Sequence, residues 1–114
     1  MILPVISELL NKIQNESLYL KLIQQLNKDF LLANLPYRFL ETETPKELIN
    51  SLTIILQKII VNNYDGYLNL IYRIDLSEKE LANIKEKSLE LIVENITFLI
   101  LKREYQKVWF KNTI

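Results

Sequence analysis

Residues 44–61 read TPKELINSLTIILQKIIV, and this stretch decides the fold. Its opening, Thr44-Pro45-Lys46-Glu47, is a capping box with proline at the first helical position. The Thr44 hydroxyl is placed to accept from the Glu47 N–H, and the Glu47 carboxylate from the Thr44 N–H. Leu48, Leu52, Ile55 and Ile59 then form a stripe at helical spacing, flanked by Ile49, Leu56 and Ile60, while Ile54 and Val61 point to the other side. A helix apolar over most of its circumference is central in a bundle or faces a second subunit. The isoleucines raise strand propensity, but their spacing follows the helical period rather than strict alternation.

The same signals extend outward in both directions. Upstream, Pro4 opens a first helix whose core stripe is Ile6, Leu9, Leu10 and Ile13. Asn15-Glu16-Ser17 reads as a break with a new cap, because Asn and Ser are good N-caps; a kinked continuous helix is the alternative. A second helix runs from about Ser17 to Ala33, with Tyr19, Leu22, Ile23, Leu26, Phe30 and Ala33 on one face, and ends before Pro36. The loop that follows carries Tyr37, Arg38 and Phe39, of which the two aromatics are expected to cover the end of the bundle.

Downstream, Asn62 to Gly66 reads as a turn. A short helix over Asp65 to Ile74 follows, with Asp65 as its cap and Tyr67, Leu68, Ile71 and Ile74 inside. Tyr64, Tyr67, Tyr72 and Arg73 form an aromatic cluster around that turn. Ser77-Glu78-Lys79-Glu80 is a second capping box, with Leu76 and Leu81 at hydrophobic-staple spacing. The last helix is expected from Glu78 to about Phe110, roughly 33 residues or ~50 Å at 1.5 Å per residue. Its expected inward face is Leu81, Ile84, Ser88, Leu91, Ile92, Asn95 and Leu99. A domain of this size has a radius of gyration near ~13 Å, so the helix is expected to bend near Asn95 or Lys102 or to reach a partner.

Composition narrows the chemistry. The 114 residues fit one helical domain, 1–114. With no Cys there is no disulfide, thiolate nucleophile or cysteine-based metal site. With no His, the usual general base near neutral pH and the usual imidazole ligand are missing. One Gly rules out glycine-rich phosphate loops and dinucleotide fingerprints and argues against an all-β fold, whose tight turns use glycine. The chain has 22 Leu and 16 Ile against 2 Ala, a bulky aliphatic core. Fourteen Lys and Arg balance fourteen Asp and Glu, which argues against a dedicated nucleic-acid binder. The start of the chain lacks the pattern of a secretory signal. No stretch approaches the ~20 apolar residues that span a bilayer. The expected location is the cytoplasm.

Three constellations could carry function. Glu86, Glu90 and Glu94 repeat at i, i+4, i+8 and offer a carboxylate site, though a solvated stripe is the simpler account. Glu94 is set among Val93, Ile96, Phe98 and Leu101, and Asn95 is expected on the inward face, so both are candidate buried polar residues. The third is the end of the chain. Arg103, Lys107 and Lys111 form a basic stripe, and Tyr105, Trp109 and Phe110 add aromatic surface. Such a segment suits phosphate pairing and base stacking, or docking on a membrane or protein; the simpler account is that the basic residues complement the helix dipole and that Trp109 and Phe110 close the core or a dimer interface.

Taken together, the sequence points to an all-α, compact bundle of about five helices with a long C-terminal helix. Leu20, Leu31, Ile54, Val61 and Leu101 lie off the expected core faces. That surplus apolar surface predicts a homodimer. The function expected is that of a small non-enzymatic adaptor or regulatory protein, with no cofactor, metal or small-molecule substrate identifiable. Its alternative is a nucleic-acid-binding module built on Arg103, Lys107 and Lys111.

Overall fold

The computed structural model describes residues 2–113, so Met1 and Ile114, the limits of the expected 1–114 domain, lie outside the described residues. Six helices form among them: α1 (Leu3–Asn15), α2 (Tyr19–Leu32), α3 (Pro45–Asn62), α4 (Tyr64–Ile74), α5 (Glu78–Ala82) and α6 (Leu89–Thr113). The architecture is an all-α bundle with a long C-terminal helix. The α3 capping box closes as its spacing predicts. Thr44 N–H donates to Glu47 Oε1 at 2.8 Å, and Glu47 N–H donates to Thr44 Oγ1 at 3.2 Å. Hydrogen bonding from the Thr44 backbone, then from its side chain, holds the Glu47 carboxyl below its usual range.

Three helices stop in the same way, and none of them uses glycine. Ser17, Asn34 and Asp75 take left-handed backbone, with φ of 60, 62 and 68°. Beyond each, a leucine N–H reaches back five residues: Leu18 to Ile13 O at 3.0 Å, Leu35 to Phe30 O at 3.0 Å, and Leu76 to Ile71 O at 3.2 Å. This is the Schellman closure, which satisfies the carbonyls left open at a helix end. Asn and Asp tolerate that conformation better than other side chains, because a short polar group bonds locally. The break between α1 and α2 therefore sits where Asn15-Glu16-Ser17 places it. Its cause is the left-handed Ser17 rather than a side-chain cap, since Leu18, the cap residue before α2, makes no side-chain cap bond.

The only glycine of the chain lies in a helix. Gly66 stands in the first turn of α4, with its N–H bonded to Asn63 Oδ1 at 3.1 Å. Asn63, not Asp65, is the cap. A Cβ at Gly66 would fall 2.4 Å from the Asn63 amide nitrogen and 2.9 Å from a Leu35 methyl. Close approach, not left-handed backbone, calls for glycine here.

One hydrophobic core runs through α1, α2, α3, α4 and α6, and the loop between α2 and α3 closes it. Asn27 clamps that loop: its amide donates to Phe39 O at 2.8 Å, and its oxygen accepts from Phe39 N–H at 2.7 Å. Phe39 is buried edge-on against Phe30 at 5.1 Å, while Tyr37 is half-buried.

The C-terminal segment differs from the expectation in two respects. The single helix from Glu78 is divided by Asn83–Ser88. Ser77 Oγ caps α5 through Glu80 N–H, but the expected box closes only by half, because the Glu80 carboxylate accepts from Lys102 at 3.3 Å instead of from Ser77 N–H; Ser88 Oγ starts a new helix by accepting from Leu91 N–H at 3.2 Å. At 25 residues α6 already matches the 34 Å long dimension of the molecule; a 33-residue rod would project past it. The inward face is also different: Val93, Ile96, Thr97, Ile100, Leu101, Glu104 and Val108 are buried. Leu101, expected off the core, has no exposed surface, whereas Leu20, Leu31, Ile54 and Val61 are exposed. Leu68 of α4, expected inside, is exposed as well.

Candidate interaction surface on the C-terminal helix

α6 packs against α1, α2, α3 and α4. Its last three turns carry all six candidate interaction residues. With the side chains of Leu101, Glu104 and Val108 inward, helical geometry directs Gln106, Trp109 and Phe110 outward. Tyr105 falls on the α1 flank, and Arg103, Lys107 and Lys111 fall on the flank toward α2 and α4. Trp109 and Phe110 are 44% and 60% exposed. The aromatic residues are on the rigid part of the fold, not on a loop.

The basic stripe is turned onto the protein itself. Arg103 reaches the left-handed Asp75 at the end of α4: its Nη2 lies 3.1 Å from the carboxylate and its Nε donates to Asp75 O at 3.2 Å. A cation at a helix C-terminus is favourable, since the last carbonyls carry partial negative charge. Lys107 sits 2.7 Å from Asp29 Oδ2 and 3.1 Å from Glu104 Oε1. Lys111 donates to Gln25 Oε1 at 2.8 Å, and Gln25 donates to Asp29 Oδ2 at 3.2 Å. The result is a chain of contacts from Lys111 through Gln25 and Asp29 to Lys107 and Glu104.

Glu104 is the chemically distinctive member, with no exposed surface. Burial, then the neighbouring Asp29 carboxylate, pushes its carboxyl up to about 9, against the pull of Lys107. At neutral pH it is therefore protonated and uncharged, leaving Lys107 to balance Asp29 alone. Burying one paired charge of each sign costs far less than burying an uncompensated carboxylate. On the other flank, the Tyr105 hydroxyl donates to the Glu16 carboxylate, which together with burial raises it to about 12. The Lys12 ammonium lies 5.6 Å from the centre of the Tyr105 ring.

The remaining candidates lie apart from this surface. Glu94 is half-buried beside an open groove of about 1130 Å³ between α1, α3 and the start of α6, and its Oε1 has no hydrogen-bond partner. Asn95 is half-buried and donates to Leu91 O at 2.8 Å, a bond within its own helix. Glu86 falls in the segment before α6, so it does not share a helical face with Glu90 and Glu94. Among the described residues, no three Asp or Glu side chains are grouped to hold a metal ion, and no helix is long and apolar enough to cross a membrane.

Sequence reasoning did not select Gln25, Asp29 or Glu104. The signal was present in part: Gln25 and Asp29 are four apart beside the core residues Leu22, Leu26 and Phe30, and Glu104 lies midway between Ile100 and Val108. No protein-family model matches this chain, and no curated protein or solved structure matches it.

Proposed function

We propose that this is a non-enzymatic helical interaction protein, which binds a protein partner through the end of α6 and also self-associates. The observation that carries this reading is the exposure of Trp109 and Phe110 on the last turns of the helix that the core grips most widely. Large aromatics on rigid backbone are the usual anchors of protein interfaces, because they offer much contact area at little entropic cost. The absence of His and Cys supports a non-enzymatic role. With no cysteine, the fold draws nothing from an oxidising compartment, which suits action in the cytoplasm.

Nucleic-acid binding is the weaker reading. Arg103 and Lys107 already pair with Asp75 and Asp29, and Lys111 with Gln25. Phosphates would have to compete with those contacts.

Trp109 is the only tryptophan, so its fluorescence reports on this surface directly. Proteins co-purified with the tagged full chain are to be added back to it singly. A true partner shifts Trp109 emission to the blue and shields it from acrylamide, and a Phe110→Ser variant binds it at least about tenfold more weakly. Partners that bind with unchanged emission and with no loss in Phe110→Ser would place the interface elsewhere. A salt-sensitive response to single-stranded oligonucleotide, lost in Lys111→Glu, would favour the nucleic-acid reading. Point changes serve better than truncation at Lys102, which would remove Glu104 and Val108 from the interior.

A further inference from the structure

α4 presents an apolar stripe to the outside. Tyr64, Leu68 and Tyr72 recur every fourth residue and are 56%, 47% and 79% exposed. The opposite face, Gly66, Tyr67, Leu70 and Ile74, is buried against α2, α3 and α6. Tyr64 is not loose: its ring packs on the buried Tyr67 with centroids 5.5 Å apart. Asp65, Asn69 and Arg73 run beside the stripe at the same spacing, all exposed. Among the described residues, neither Asp65 nor Arg73 belongs to an ion pair.

We propose that this face joins two copies of the chain, α4 against α4, antiparallel about a two-fold axis beside Leu68. The inference rests on the self-association proposed above and names its surface. The charge pattern selects the occupant. On one helix the acid lies near the N-terminal end and the base near the C-terminal end, on the same flank. A two-fold operation reverses the helix and keeps that flank on the same side of the contact. Asp65 then meets the partner's Arg73, and Arg73 meets the partner's Asp65. Tyr64 likewise meets the partner's Tyr72, and Leu68 meets its own copy. A parallel two-fold pair would put the two charged flanks on opposite sides of the contact, so that neither Asp65 nor Arg73 meets its complement. A self-complementary patch of this kind is what two-fold symmetry requires. The contact is small, since an 11-residue helix is only ~16 Å long. The dimer therefore belongs to the weak class below about 1,200 Å², and it forms and dissociates with micromolar changes in concentration.

Sedimentation of the full chain tests this. Wild type should show a concentration-dependent monomer–dimer equilibrium. Leu68→Glu should weaken it by roughly thirtyfold, the loss of a central anchor. Asp65→Arg or Arg73→Asp alone should weaken it about tenfold, and the two together should restore it. All these positions are exposed, and far-ultraviolet circular dichroism checks that each variant keeps its helices. A wild-type dimer untouched by Leu68→Glu would overturn the α4 face while leaving self-association standing. A dimer weakened by both single reversals and weakened further by the double would overturn the antiparallel register. A wild type that stays monomeric throughout the micromolar range would overturn self-association and this face with it.

Discussion

The two halves of α6 follow opposite rules. From Leu89 to Leu101 the helix is mostly apolar, and Val93, Ile96, Ile100 and Leu101 fill the core. From Lys102 onward the largest apolar groups, Trp109 and Phe110, are outside, while Glu104 is fully buried and Lys107 half-buried. The first half is held by area removed from water. The second half buries Val108 and the Glu104 carboxyl on its inner side, beside the pairing of Lys107 with Asp29. The first half is apolar inside, whereas the second pairs charges inside and turns its two largest apolar groups outward.

Substitutions can break or sharpen that contrast. The largest effect belongs to the first half: Ile100→Ala opens a cavity at a fully buried site and should cost about 4 kcal/mol, read by urea unfolding. The intermediate effect belongs to the inner side of the second half, and it depends on pH. The folded state holds a proton on Glu104 up to about 9, whereas an unfolded glutamate releases it near 4.5. Its contribution is therefore fully present below pH 4.5 and is lost as pH rises toward 9. The limiting slope is about 1.4 kcal/mol per pH unit. Glu104→Gln keeps a donor beside Asp29 but carries no proton to lose. Melting curves from pH 5 to 9 should flatten in that variant, which should be the more stable protein at pH 8. An unchanged slope would mean that another group carries the pH dependence. The smallest effect belongs to the outer side: Phe110→Ala should move stability by less than about 0.5 kcal/mol, measured in the same urea series.

What could be read from sequence was whatever is decided locally. The Thr44 box, the Ser77 cap and the α1–α2 break each depend on neighbours in the chain, and each stands where the residues place it. The inward face of α6 was not legible, because Leu89–Leu101 carries apolar residues on several faces, with Glu90, Glu94, Asn95 and Thr97 among them; packing by four other helices makes the choice. The split before α6 was hidden for a related reason. Asn83 to Ser88 contains no proline or glycine, and only the limit on helix length in a small bundle shows that Ser88 must start a new one. Glu104 escaped because a charged side chain is by default placed in water. Its burial depends on Asp29 and Lys107, and Asp29 is 75 residues away in the chain. On the last turns of α6, the pairing of the basic stripe with Asp75, Asp29 and Gln25 was not legible either, because those partners are 28 to 86 residues away in the chain.

The three left-handed helix ends at Ser17, Asn34 and Asp75 bear on how the chain folds in time. Each closure links residues only five apart, so a helix can end before it meets any neighbour. The leucine that completes each closure, Leu18, Leu35 or Leu76, is also part of the core or packed against it. The step that stops a helix thus delivers an apolar group to the next stage of assembly. Contacts made over short separations form quickly because little loop entropy opposes them. The kinetic cost of assembly then falls on the one segment whose position depends on four other helices, α6.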